Sequence, residues 1–360
     1  MTNESVQDGS QQNVVSPVVD QPNPPNNQIE TPRDIHLITY SYLRWLLVLL
    51  PVVLFVVTVS TAIEQGHLER SISAYYGGWV RDVFVGTLIA IAVCLVAYQG
   101  VGLIEDYALN GAGFYAVYVA LVPADFPVLM DKLKSSETPD GLAPSADEYI
   151  FFLRVTLACV LFLVLVVFLL EVRAGNVQRL FRAEVDRDWL HKLTRFFLVA
   201  TMAVLIGFLS LASQQLYFPA GDVTMDGLTQ WGIPLTIHDL AAIFLISSLF
   251  VAVLTNTWPF FKFSALRESA RQGYLVIAVL MTFGAFIPIL VAQRFAPGRE
   301  VILLEWWEIG LFATFWALET GRMRRLNKRR EKGEAVSTDD KARLLPEPSR
   351  VTDGSSNSAR

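Results

Sequence analysis

The chain has 360 residues, 53% of them hydrophobic and 18% charged, with a formal net charge of −5 and a mean hydropathy of +0.41. That balance lies well outside the soluble average, and lipid is the solvent it implies. The net charge hides an uneven distribution and by itself identifies no partner. Cys94 and Cys159 both fall inside apolar stretches, where a thiol behaves as a small hydrophobe, so a disulfide framework or a Cys-ligated metal is not expected.

Residues 1–34 are polar and rich in Pro, Asn and Gln, as in Asn23-Pro24-Pro25-Asn26-Asn27, and are expected to form a disordered cytoplasmic tail. No short apolar core with a small-residue cleavage site lies near the start, so the first span is expected to insert as a signal anchor. Eight apolar stretches follow: Leu43–Ile63, Asp82–Gly100, Asn110–Pro123, Tyr149–Glu171, Arg195–Gln214, His238–Asn256, Gly273–Gln293 and Val301–Thr320. A helix of about 20 residues covers a hydrocarbon core of about 30 Å. The third stretch is short for that; it either continues past Pro123 through Ala124–Met130 or ends early as a partly buried helix. The fold class is therefore an all-α polytopic transmembrane helix bundle, residues 35–321, followed at 322–360 by a basic and then disordered cytoplasmic tail.

Orientation follows from the loops. Arg173, Arg179, Arg182, Arg187 and Lys192 lie between spans four and five, Lys262, Arg267 and Arg271 between six and seven, and Arg322-Met323-Arg324-Arg325-Leu326-Asn327-Lys328-Arg329-Arg330 after span eight. The intervening loops are poor in Lys and Arg. Positive charge on the inside then puts both termini in the cytoplasm, as an even number of spans requires, in the cytoplasmic (plasma) membrane. Tyr40, Tyr42, Trp45, Trp258 and Tyr274 mark one interface; Tyr75, Tyr76, Trp79, Tyr149, Trp306 and Trp307 mark the other. The basic run sets topology, and it also suits anionic lipid at about 1 kcal/mol per charge.

The outer-facing ends carry the polar groups that ask for a reason. In the segment 71–86, Ser71, Ser73 and Tyr75 precede Arg81-Asp82, with Gly86 one turn later. Asp82 suits a helix N-terminus and Gly86 suits close approach by a neighbouring helix. One reading is a capped helix behind an ordered loop; the other is a polar pocket lined by Arg81 and the hydroxyls. Glu305 and Glu308 stand three apart in span eight and so share a helix face. Carboxylates at depth face the protein interior and pair, and the expected partner of one or other is Arg81. Glu319 is expected to make a simple ion pair beside the basic tail. His238-Asp239 opens span six, Asp239 suiting an N-cap region and His238 near Asp82 or Asp125. Arg294 lies on the same side, close to a kink expected at Pro288.

With those residues in view, Ser71-Ile72-Ser73-Ala74-Tyr75-Tyr76, Arg81-Asp82-Val83-Phe84-Val85-Gly86, Ala97-Tyr98 and Asn110-Gly111-Ala112-Gly113 together resemble a group of uncharacterised bacterial multi-span membrane proteins. Glu305-Trp306 and Ala313-Thr314-Phe315-Trp316 look like that group's last span. More distantly, the Ser-rich loop is similar to DRAM-type membrane families of unknown or regulatory function. The resemblance implies a membrane bundle and supplies no activity. The three-His zinc pattern of the ceramidase and adiponectin-receptor superfamily is absent, since His36 and His191 fall on the cytoplasmic side and only His67 and His238 outside. No metal or other cofactor is expected; the expected partners are membrane lipids, without nucleic acid. The function expected is that of an integral membrane protein with a polar pocket in the extracytoplasmic third, for lipid binding or sensing. The alternatives are a transporter using Glu305, Glu308 and Arg81, or an intramembrane lipid hydrolase.

Overall fold

A computed structural model describes residues 32–77, 80–100, 103–135, 145–173, 189–219, 221–257 and 268–331. Among the described residues all regular structure is helical: α1 (Pro32–Gln65), a 3-10 turn (Ile72–Gly77), α2 (Val80–Ala97), α3 (Leu103–Leu121), α4 (Phe126–Ser135), α5 (Ala146–Arg173), α6 (Trp189–Tyr217), a second 3-10 turn (Thr229–Trp231), α7 (Ile237–Thr255), α8 (Glu268–Thr282), α9 (Phe286–Phe295) and α10 (Glu300–Glu331). Seven helices, with α3 and α4 counted together, are long and apolar enough to cross a membrane; the bent pair α8–α9 makes eight. That is the make-up of a multi-pass membrane protein. Of the tails expected at 1–34 and 322–360, residues 1–31 and 332–360 lie outside the described residues, as do most of the basic loop residues between α5 and α6 and between α7 and α8, while residues 32–34 already belong to α1.

Helix α3 forms the centre. It packs against α7 on one side and α2 on the other, while α1 packs against α10 and α2. Of the apolar window containing α3, 61% is buried, against 11% for α5 and for α6, which therefore form the lipid-facing rim. Small residues make the central crossing close. Ala108, Ala112, Ala116 and Ala120 recur every fourth residue on α3 and are all buried, the spacing that lets helix backbones approach where no hydrophobic drive operates. A Cβ at Gly113 would meet Val96 Cγ2 at 2.8 Å and the Ala92 carbonyl oxygen at 2.9 Å, so α2 rests on that glycine. Gly86 does not serve this purpose: nothing lies within 4 Å of a Cβ placed there. It faces away from its neighbours because the buried side of α2 runs through Phe84, Leu88, Ile91 and Leu95.

The short third span resolves as two helices. Helix α3 begins at Leu103, a full two turns before the expected start, because Glu105 and Asp106 lie inside it. It stops at Leu121, just before Pro123, and α4 starts anew with Pro127 in its first turn, where a missing N–H costs least. In span seven α8 and α9 are bent by 47°. Pro288 offers no N–H to the Gly284 carbonyl, which takes the Ile287 amide at 3.0 Å instead, and the Gly284 amide shifts to Val279. Helix α10 continues past residue 321 to Glu331, so the first part of the basic run is helical.

Two of the elements meet the Ser71 end of the bundle in ordered turns. Thr236 caps α7, its side chain accepting from the Asp239 amide while Asp239 accepts from the Thr236 amide, a complete capping box. The loop before it is held by Gln215, whose amide both donates to and accepts from the Gly227 backbone at 2.8 Å. Gly227 has φ 61, and a Cβ there would meet the Leu235 carbonyl at 2.4 Å.

Candidate functional site

At the Ser71 end the connector between α1 and α2 lies across the start of α10. The Ile302 amide, one of the N–H groups that a helix start leaves without an intrahelical acceptor, donates to the Arg70 carbonyl at 2.9 Å. In return the Ile72 amide donates to Glu305 Oε2 at 2.6 Å. The Ser71 and Ser73 hydroxyls hydrogen-bond each other at 2.9 Å, and Ser71 Oγ also accepts from the Ala74 amide at 3.1 Å. Tyr75, buried, takes the Glu69 amide on its hydroxyl at 3.2 Å. The connector is thus tied to α10 by backbone and carboxylate, with its own hydroxyls used internally.

The Trp pair on α10 anchors this end to two different helices. Trp306 Nε1 donates to Thr58 Oγ1 on α1 at 3.1 Å, its ring edge-on to Phe55. Trp307 Nε1 donates to the Leu280 carbonyl at 3.3 Å. That carbonyl is available because the bend removes the Gly284 amide from it. Glu308 follows the pair on α10. Its side chain is buried and its Oε2 has no hydrogen-bond partner. The carboxylate of Asp239 bears electrostatically on Glu305 from the start of α7. Two acids, Glu305 and Asp239, therefore bear on each other where α10, the connector and α7 meet, and Glu308 lies about one turn further along α10.

The structure gathers some of the expected site residues and spreads the others. Ser71, Ser73, Tyr75, Glu305 and Glu308 belong to the one assembly just described. Arg81, the expected partner of a span-eight carboxylate, is exposed, and its Cζ stands 5.9 Å from the Tyr149 ring centroid on α5. It points outward because it follows Val80, which takes the buried face of α2. Asp82 and Asp125 are exposed, as is Arg294, whose Cζ lies 5.4 Å from the Phe295 ring. His238 is buried, and its Nδ1–H donates to the Val122 carbonyl at 2.6 Å, closing the end of α3 where Pro123 stops the helix. Asp125 and Asp239 bear on it electrostatically, so it does sit by Asp125, in a structural role. Among the described residues no group of three or more His, Cys, Asp or Glu is placed to hold a metal ion.

The opposite end, around Arg322, carries a second set of buried polar groups, among them the ion pair expected of Glu319 and several that the sequence did not single out. Asn256 Nδ2 donates to Glu105 Oε1 and to the Ala252 carbonyl, both at 3.0 Å. Glu319 accepts from the Tyr274 hydroxyl and from Arg322 Nη1, the latter at 3.4 Å. Tyr274 is fully buried, so it is a core residue and not an interface marker. Asp106 accepts from the Gly100 amide at 3.2 Å. Arg44 on α1 is buried, with Nε sealed from solvent and without a hydrogen-bond partner, as are Trp316 Nε1 and Asn327 Oδ1. A signal was available in Arg44, which interrupts an apolar run, and in Asp106 and Asn110, one helical turn apart.

One face of α10 links the two ends. Glu305, Glu308, Phe312, Trp316 and Glu319 recur at three- and four-residue steps. The middle of that face is aromatic: Trp316 packs against Phe312, Phe315 and Tyr98, the last at 4.8 Å between centroids. No family model, no curated protein and no solved structure matches the chain.

Proposed function

We propose that this multi-pass membrane protein moves protons across the membrane, with Glu308 as the group that takes up and releases them. The observation that carries the proposal is the unpartnered Oε2 of a buried Glu308. The span containing it runs Glu300–Arg329, 30 residues. A hydrocarbon core of about 30 Å takes up about twenty of these, so a centred core begins near Glu305 and leaves Glu308 about one turn inside. An ionised carboxylate costs about 2.5–3.5 kcal/mol at the centre of a membrane helix and less toward its ends, and lack of a partner adds to that cost. The protonated form avoids that cost, so the closed arrangement is the proton-loaded one, and release requires water to reach the group.

The path from Glu308 to the other end is closed. Along α10, Glu319 lies 11 residues farther, a rise of about 16 Å, with Phe312, Phe315 and Trp316 between. Proton passage therefore needs a movement of helices, and the break at α8–α9 supplies the place for it. Broken helices at membrane depth are tolerated where they are buried in protein or line a water-filled path, and here the break is tied to α10 through Trp307 and Leu280. Glu305 acts at the mouth: while ionised it holds the Ile72 amide and keeps the connector shut.

The same reading keeps the expected orientation, with both termini in the cytoplasm of a plasma-membrane protein and the Ser71 end outside, supported by the Lys/Arg content of the loops. A lipid or sensed solute in a pocket at the Ser71 end is less well supported, because the Ser71 and Ser73 hydroxyls are occupied by each other and by Ala74. The test is proton flux into liposomes holding the purified protein and a trapped pH dye, driven by a potassium diffusion potential. Wild-type protein should move protons well above protein-free liposomes. Glu308→Gln should reduce this to background, while Glu64→Gln, at an exposed site, should leave it unchanged. Wild-type flux at background, or Glu308→Gln flux equal to wild type, refutes the proposal.

A further inference from the structure

We infer that Arg44 receives the phosphate of an anionic phospholipid at the Arg322 end of the bundle. The chemistry starts from an unmet need. A guanidinium has five donors and no means of losing its charge. Arg44 is only 5% exposed, and its Nε is sealed without an acceptor. The carboxylates at this end each have other engagements: Glu105 with Asn256, Asp106 with Gly100, and Glu319 with Tyr274 and Arg322. A buried cation with an unmet donor is costly. The sealed Nε is out of reach from outside, so an oxyanion supplied from outside the chain meets the guanidinium at its terminal Nη groups, which are not among the sealed unpartnered atoms.

Depth identifies the source of the oxyanion. The first span runs Ile38–Gln65, 28 residues. Its length of about 42 Å exceeds a hydrocarbon core of about 30 Å by about four residues at each end. Arg44, the seventh residue of that span, lies within a turn of the boundary, and a long side chain there reaches the level of lipid phosphates. The neighbourhood has the same sign. Arg324 stacks its Cζ 4.7 Å from the ring centroid of Trp45, the residue next to Arg44. Helix α10, which packs along α1, continues with exposed Arg325, Lys328 and Arg329. Tyr40, one turn before Arg44 and within its electrostatic reach, adds a hydroxyl near the same level. A phosphate group accepts a guanidinium fork in two parallel hydrogen bonds, whereas a zwitterionic lipid brings its own cation.

The site is independent of proton movement, and it is tested without it. Full-length protein in detergent micelles is titrated with phosphatidylglycerol, phosphatidylcholine or inorganic phosphate, and the thermal unfolding midpoint is followed. Wild-type protein should be stabilised by phosphatidylglycerol and not by the other two. Arg44→Met keeps the volume and removes the unpaired charge, so its lipid-free midpoint should be no lower than wild type. Its half-saturation by phosphatidylglycerol should move to about a hundredfold higher concentration, the change expected when both charge-assisted hydrogen bonds of the fork are lost. Lys132→Met, at an exposed position on α4 at the Ser71 end, should titrate like wild type. If Arg44→Met does not purify, Arg44→Lys retains the charge without the fork and should also show weakened half-saturation. Coincident phosphatidylglycerol titrations for wild type and the Arg44 variant overturn the inference. So does equal stabilisation of wild type by inorganic phosphate, which would place a free anion at Arg44 instead.

Discussion

Replacing Gly113 by Ala, and comparing it with the same replacement at Gly86, isolates the packing on which the centre of the bundle depends. Both glycines lie within helices, so the propensity gain from glycine to alanine, about 1 kcal/mol, is common to both and cancels in the difference. What differs is space. The new methyl at Gly113 would stand 2.8 Å from Val96 Cγ2 and 2.9 Å from the Ala92 carbonyl oxygen, and at Gly86 it meets nothing within 4 Å. The Val96 methyl can move aside, whereas the Ala92 carbonyl is part of the α2 backbone and moves only if the helix does. Overpacking of this kind costs about 1–3 kcal/mol, so Gly113→Ala should be less stable than Gly86→Ala by that amount. Gly111→Ala, whose methyl would meet Ser248 Oγ at an ordinary 3.5 Å, should behave like Gly86→Ala. Reversible unfolding of the three purified variants by a denaturing detergent, followed by helical circular dichroism, measures the differences. If Gly113→Ala and Gly86→Ala unfold together, α2 does not rest on Gly113 and the central crossing is wrong.

Thr236→Ala removes one half of the α7 capping box and should cost about 0.5–2 kcal/mol in the same unfolding measurement; no loss means that the Thr236–Asp239 exchange does not hold that helix start. Glu305→Ala leaves the Ile72 amide without its acceptor and should cost about 1–3 kcal/mol, while Glu305→Gln keeps an acceptor and should cost less; equal losses would remove the latch from the account. Asn256→Ala deletes the Nδ2 donor to Glu105 and should destabilise by a similar amount, with Thr255→Ala, whose hydroxyl bonds the Ala252 carbonyl within its own helix, as the milder comparison. His67, outside the spans, is held above its ordinary value of 6.5 first by the Gln65 carbonyl and then by Glu69. Its protonated form is favoured in the folded state, so its contribution is complete below about pH 6.5 and fades as pH rises through the higher folded value. Glu69→Gln should lower the His67 titration midpoint seen by NMR; an unchanged midpoint would show that the 3.1 Å contact carries no weight.

The count and approximate position of the membrane helices were legible because a bilayer imposes a length of about 20 apolar residues whatever the neighbours do. The bend in span seven was legible for a similar reason, since Pro288 lacks an N–H in any context, and so was the role of Asp239, because a capping box is closed within four residues. Glu305 and Glu308 stood out as charges in an apolar run. Chain pattern alone does not say which side of a helix meets protein and which meets lipid when both are apolar. Gly86 and Gly113 are equivalent as letters, yet one faces open space and the other a backbone carbonyl. Arg81 and Arg44 each lie beside an apolar run, yet one lies exposed near Tyr149 and the other is buried. Glu305 meets a backbone amide 233 positions away instead of the arginine expected for it. Those outcomes rest on how the helices pack, since hydrophobicity fixes the depth of a residue in the membrane while contact between helices fixes its partner.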